Sequence, residues 1–194
     1  MDGYESGSGC SVEIVKLNAK QLRITKPTEE ELAVIKRKPI YIVLDNVLDT
    51  YNIGGIFRLA DAVAASEVIL CGGTEKPPSS RIHKAAVGTE EWVKWRYFEK
   101  SDEAIKRLRD EVKGIKVMAV EQDEKAVLLS NSPLHPSLNL REGTPLAVVV
   151  GHETEGVSKE VLDLADVIVE IPMWGVNKSL NVIVSAAIVI YRLV

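Results

Sequence analysis

The sequence predicts an α/β fold built on a mainly parallel sheet flanked by helices. Two observations carry this. Short β-branched runs at residues 40–44, 68–71, 116–120, 146–150 and 167–171 have the length and composition of buried strands. Stretches with helical spacing or helix-start signals stand between most of them, and such alternation favours crossover connections between parallel neighbours.

Taken in order, residues 1 to about 12 are polar and Gly/Ser-rich and are expected to be disordered. Thr28-Glu29-Glu30-Glu31 reads as a capping box, with Thr28 as N-cap and Glu31 at N3. The helix it opens should run to about Lys36 and stop before Pro39. After the strand at 40–44, Ile53, Ile56, Phe57, Ala60 and Val63 form one stripe of a helix expected over 53–64. Residues 92–98 alternate as a strand, with Val93, Trp95 and Tyr97 on one face and Lys94 and Arg96 on the other. That pattern leaves Trp92 and Phe98 as the candidate exposed aromatics. Ser101 should cap a helix carrying Ala104, Ile105, Leu108 and Val112, which Gly114 ends. Residues 123–144 are rich in Pro, Ser and Asn and read mostly as loop. Ser158 should cap a helix through about Ala165. Beyond the last strand, Ser179 suits an N-cap, and the apolar run to Val194 is long enough for a helix buried on all sides.

Composition narrows the functions. The 194 residues suit one domain, 39–194, preceded by an extension at 1–38. No apolar run is long enough to span a bilayer, and the N-terminus lacks the marks of a signal peptide. Cys10 and Cys71 are isolated, which favours a reducing, cytoplasmic setting. His83, His135 and His152 show no metal-ligand spacing, so no metal is expected. The net charge of −4 does not advertise a nucleic-acid binder. Local basic groups exist at Lys16, Lys20, Arg23, Lys26 and Lys36-Arg37-Lys38, and at Arg81, Lys84, Lys94 and Arg96, but an ordinary solvated surface is the better explanation of each. No Lys-Ser/Thr follows Gly156, which excludes a P-loop, and no GxGxxG follows a predicted strand.

Three segments carry chemistry, and each follows a predicted strand, where α/β ligands sit. In Asn52-Ile-Gly-Gly-Ile-Phe-Arg58, a helix starting near Ile53 places Arg58 one turn in, above side-chain-free Gly54 and Gly55. Free N–H groups and a guanidinium would then face one anion such as an RNA phosphate, although by itself the segment reads more plainly as an Asn52 helix cap followed by a surface arginine. In Gly151-His-Glu-Thr-Glu-Gly156, Gly151 allows close backbone approach to a ligand. In Ile171-Pro-Met-Trp-Gly-Val-Asn-Lys-Ser-Leu-Asn181, Ser179 and Asn181 are polar groups wedged between buried elements, a costly placement unless they are used.

In this order the three segments resemble the three motifs of the SpoU/TrmH branch of the SPOUT methyltransferases, over about 41–194. The resemblance implies a C-terminal trefoil knot, a homodimer and S-adenosylmethionine-dependent transfer of methyl to an RNA ribose 2′-hydroxyl. Terminal extensions too short for an RNA-binding domain lean toward tRNA, with rRNA also possible. The resemblance implies Asn52, Arg58, Glu153, Ser179 and Asn181 at the reaction centre, and Gly151, Ile171, Met173 and Leu180 at the adenosyl pocket. Its arginine is assigned a share in deprotonating the 2′-hydroxyl. Arginine stays protonated, so positioning phosphate and stabilising the alkoxide suit Arg58 better. Two departures stand out: Ala64-Ala65 where the family usually has a glycine, and Ile183 where it often has a small polar residue. The alternatives are a non-catalytic RNA-binding dimer of the same fold and a small-molecule α/β enzyme.

Overall fold

The computed structural model describes residues 26–129 and 143–193. The expectations on residues 1–25, including Cys10, Lys16, Lys20 and Arg23, fall outside the described residues, as do those on His135, Val194 and most of 123–144. The capping box forms: Thr28 Oγ1 accepts from the Glu31 N–H at 3.2 Å, and the Thr28 N–H donates to Glu31 Oε2 at 2.8 Å. The helix it opens, α1 (Glu29–Val34), ends two residues early.

Seven strands form one sheet in the order β3-β2-β1-β6-β4-β7-β5, and every pairing is parallel. They are β1 (Lys38–Asp45), β2 (Ala65–Cys71), β3 (Trp95–Phe98), β4 (Lys116–Val120), β5 (Val127–Leu128), β6 (Leu146–Gly151) and β7 (Val167–Glu170). The helices are α2 (Thr50–Ala62), α3 (Ser80–Ala86), α4 (Ser101–Glu111), α5 (Lys159–Leu162) and α6 (Val182–Tyr191), with a 3₁₀ turn at Thr89–Glu91. Successive strand side chains point to opposite faces. Ile42, Leu44, Leu70 and Val148 therefore join a core with Ile53 and Phe57 of α2, Ile82 of α3 and Val189 of α6. Val43, Ile69, Val117 and Val149 join a second core with Ile105 and Leu108 of α4 and Val161 of α5.

Several local readings are corrected. Helix α2 starts three residues early because Asp49 caps it, accepting from the Tyr51 N–H at 2.8 Å. Asn52 therefore lies inside the first turn, and Arg58 two turns in. Ser101 does not cap α4: it is the first helical residue, and its buried hydroxyl donates to the Asp45 carboxylate instead. Ser179 does not cap α6: Asn181 does, accepting from the Ile183 N–H at 2.9 Å. Helix α5 is a single turn and stops at Leu162 rather than about Ala165. Strand β3 starts at Trp95, because the chain before it turns through the 3₁₀ segment. Trp92 is not an exposed aromatic: it packs on the first core, and its indole N–H donates to Asp61 Oδ1 at 2.9 Å. Three elements carried no expectation: α3, the 3₁₀ turn and the short β5 within the expected loop.

Candidate functional site

The parallel register brings the ends of β1, β6 and β7 to one edge, and with them the three polar segments. Asn52 in α2 is buried and links the other two. Its Nδ2 donates to Glu153 Oε1 at 2.9 Å, and its Oδ1 accepts from Asn181 Nδ2 at 2.9 Å. Only this orientation of the Asn52 amide makes both bonds. Glu153 also accepts from the N–H groups of Leu48 (3.2 Å) and Asp49 (3.0 Å). Partial burial pushes its carboxyl up, but the hydrogen bonds from Asn52, Asp49 and Leu48 outweigh it and hold the group below the ordinary range. The N-terminal end of α2 thus has its anion already, supplied by Glu153.

This revises the phosphate cradle inferred at Gly54 and Gly55. Both glycines serve helix packing. A Cβ on Gly54 would lie 2.5 Å from Ala85 Cβ and 2.7 Å from the Ile82 carbonyl oxygen, so α3 crosses α2 there. A Cβ on Gly55 would lie 2.3 Å from Ile183 Cδ1, so α6 packs there. Ile183, which stands where the family often has a small polar residue, fills the space that Gly55 leaves. Arg58 is exposed and makes no hydrogen bond or ion pair with any described residue. Its guanidinium does not line the cleft described next.

That cleft opens at the same edge, with a volume of about 200 Å³. Gly151, Ile171, Met173, Ser179 and Leu180 all line it, together with Glu153. Gly151 has a reason other than ligand approach: an added Cβ would lie 2.2 Å from the carbonyl of Gly156. Residues 151–157 close on themselves, with paired His152 and Gly156 backbones (2.9 Å both ways). Inside that turn, His152 Nδ1 accepts from the N–H groups of Thr154 (3.1 Å) and Glu155 (3.2 Å), so the ring proton sits on Nε2. The Ser179 hydroxyl and N–H both lie 3.1 Å from Asn177 Oδ1 and donate to it.

Other expected groups are not free. Arg96 is held between Glu67 and Glu111, and Lys94 lies 3.6 Å from Glu67, which removes both from the second basic patch. Arg81 and Lys84 remain exposed on α3. Burial pushes the Cys71 thiol up to about 12, partly offset by the neighbouring Ser101 hydroxyl and reinforced by repulsion from Asp45, so it is no nucleophile. Sequence reasoning missed Asp45, which stands opposite Gly151 at the end of β1 and accepts from the Ser101 hydroxyl and from the Ser158 N–H (2.8 Å). It also missed Glu121 and Gln122, which line the cleft wall. The available signal was position: each stands at or just beyond the end of a strand.

Val150, Val169, Ile171 and Leu180 give the cleft apolar surface, and Gln122 and Ser179 place polar groups along it. A parallel sheet with such a cleft at its carboxyl edge is the frame of a ligand-binding α/β protein. The chain belongs to the SpoU rRNA methylase family, whose model matches residues 39–191. It is 30% identical over 166 residues to a tRNA (guanosine(18)-2′-O)-methyltransferase of Thermus thermophilus, covering 84% of this chain and 78% of the relative. The TrmH/SpoU tRNA-modifying enzyme of Aquifex aeolicus superposes with a TM-score of 0.69 at 25% identity, covering 90% of this chain and 79% of that one. An AdoMet-bound rRNA methyltransferase of Sinorhizobium meliloti gives 0.69 at 25% identity, covering 82% of this chain but only 57% of that one.

Proposed function

We propose that this chain transfers a methyl group from S-adenosylmethionine to a ribose 2′-hydroxyl of RNA, with tRNA as the substrate. The observation that carries the reading is the hydrogen-bonded line Glu153–Asn52–Asn181, which ties three separate strand-end segments together beside the cleft. The tRNA assignment is supported by the tRNA methyltransferases that the chain resembles over most of its length. Gly151, Ile171, Met173 and Leu180 would hold the adenosyl group. When bound, the cofactor supplies an electrophilic methyl on a sulfonium. The Arg58 fork would grip the phosphate beside the target ribose and stabilise charge growing on its 2′-oxygen, while the hydroxyl proton leaves to water. Glu153 has both oxygens committed to N–H donors and stays ionised, so it positions Asn52 rather than taking a proton. Ser179 and Asn181 set the polar rim of the cofactor loop.

The same reading includes a homodimer. Arg58 lies outside its own chain's cleft, so an active site shared across an interface would bring it to a partner's cofactor. It also includes the C-terminal trefoil knot, a division into an extension at 1–38 and a methyltransferase domain at 39–194, and a cytoplasmic setting beside the RNA. Among the described residues, no helix is long and apolar enough to cross a membrane.

The test is methyl transfer from labelled S-adenosylmethionine to tRNA, and to the same RNA with 2′-deoxyribose at the mapped site. Label in the first and none in the second is expected. Equal labelling of both would overturn ribose methylation. Absence of S-adenosylhomocysteine binding at millimolar ligand would overturn the cofactor assignment.

A further inference from the structure

Two residues beyond the end of β4, Glu121 and Gln122, touch both loops that face each other across the cleft. β4 lies between β6 and β7 in the sheet. The chain leaving it therefore emerges between the turn after β6, which carries Glu153, and the loop after β7, which carries Ser179 and Asn181. The Glu121 carboxylate reaches the first of these: Oε2 accepts from the Val157 N–H at 2.8 Å, while Oε1 accepts from the Gln122 N–H at 2.8 Å. The fit is close, since a Cβ on Gly156 (φ +73°) would lie 2.1 Å from Oε2. The Gln122 side chain reaches the second loop, its Nε2 donating to the Lys178 carbonyl. That loop is braced again where Lys178 Nζ donates to the Met173 carbonyl at 3.4 Å. Glu121, Gln122 and Lys178 all line the cleft. Among the described residues, Glu121 has no cationic partner, so its charge is balanced only by backbone N–H groups.

We propose that Glu121 and Gln122 form a brace that holds the two cofactor loops at a fixed separation, making them positioning residues for S-adenosylmethionine rather than groups that act on the RNA. The inference rests on the methyltransferase reading. Its physical basis is preorganisation: a loop already ordered loses less freedom when the ligand arrives. The two arms differ in chemistry. Glu121 must accept, because its targets are N–H groups. Gln122 must donate, because its target is a carbonyl. The brace is therefore sensitive to side-chain chemistry as well as to volume.

Three variants at position 122 separate these properties. Gln122→Ala removes the donor. Gln122→Glu keeps the shape but presents an acceptor to a carbonyl. Gln122→Lys restores a donor. The expected outcome is a loss of S-adenosylhomocysteine affinity of about fivefold for Gln122→Ala, as for one hydrogen bond, and a larger loss for Gln122→Glu. Gln122→Lys should recover most of the affinity. The KM for S-adenosylmethionine should rise in parallel while kcat at saturating cofactor stays near wild type. A merely structural defect would lower melting temperature and kcat without following the order of donor chemistry. Amide hydrogen exchange of the ligand-free protein reads the brace independently of any cofactor. Glu121→Ala should accelerate exchange at Val157, and Gln122→Ala should accelerate it in residues 173–180. If wild-type protein binds no S-adenosylhomocysteine, the methyltransferase reading fails, while exchange still reports on the brace. Unchanged exchange in both loops, or equal affinity of the Ala, Glu and Lys variants, would overturn the brace.

Discussion

At the scale of single residues the site divides labour between one free cation and one committed anion. Arg58 has no partner among the described residues, so its removal should leave the fold intact and, on the proposed mechanism, take away only what it offers to substrate. Arg58→Ala is expected to slow methyl transfer by roughly 10²–10³-fold, the scale of one lost charge-stabilising donor, with S-adenosylhomocysteine affinity nearly unchanged. Arg58→Lys should also be poor, since a point charge does not reproduce the planar fork. Wild-type turnover in Arg58→Ala would remove it from the reaction. Glu153 makes a prediction about stability. Its carboxyl lies below its ordinary value of 4.5, because hydrogen bonds from Asn52, Asp49 and Leu48 overcome the opposing effect of burial. A depressed carboxyl stabilises the folded chain above the unfolded value, and that contribution is lost as pH falls through the folded one. The melting-temperature gap between wild type and Glu153→Gln should therefore be full near neutral pH and narrow from about pH 4.5 downward. A gap that stayed constant to about pH 3 would show that ionisation of Glu153 is not what holds the N-terminus of α2.

At the scale of elements, the strands were legible because burial on both faces makes them continuous β-branched runs. Helix starts were less legible, because several polar residues near each start compete for the cap. Asp49 won over Asn52 and Asn181 over Ser179, and those shifts moved Arg58 along its helix and Asn181 to a cap. Gly54 and Gly55 read as a ligand cradle since sequence records a missing side chain but not which neighbour fills the gap. Helix α3, that neighbour for Gly54, carried no periodic signal in its seven residues. The reaction-centre candidates came from motif resemblance; their bonding came only from structure. Gly54→Ala should accordingly destabilise by about 1–3 kcal/mol, as overpacking against backbone does, with little local relief. Gly55→Ala should cost less, because Ile183 Cδ1 can move. Ala64, the first of the Ala64-Ala65 pair that stands where the family usually has a glycine, tests the opposite sign. It sits at φ +53°, in the left-handed region. Relief of that strain, about 1–2 kcal/mol, outweighs the added freedom of an unfolded glycine, about 0.4–1 kcal/mol. Ala64→Gly should therefore raise the melting temperature by a few degrees, and a fall would show that the turn is unstrained.

At the scale of the whole molecule, the decisive feature is the unfinished burial of α6. The sequence marks this helix as apolar nearly all round, yet within one chain only Ala186, Val189 and Ile190 are buried. Val184, Ile188 and Tyr191 stand 44%, 40% and 59% exposed at positions i, i+4 and i+7, which is one stripe of a helix. A soluble chain seldom leaves such a stripe to water beside further exposed apolar groups. A second copy offers a matching stripe, and a two-fold interface is self-complementary, so each substitution acts twice. In the proposed dimer Ile188→Glu would place two like charges against each other, and the variant should be a monomer by light scattering at micromolar protein. Because Arg58 lies outside its own chain's cleft, the monomer should lose methyl transfer while keeping a folded sheet and a normal melting transition. Mixing Ile188→Glu with wild type should not restore the lost activity. An Ile188→Glu monomer with full activity would sink the shared-site arrangement and leave the methyltransferase assignment standing. A wild-type chain that scatters as a monomer would require some other partner for the stripe.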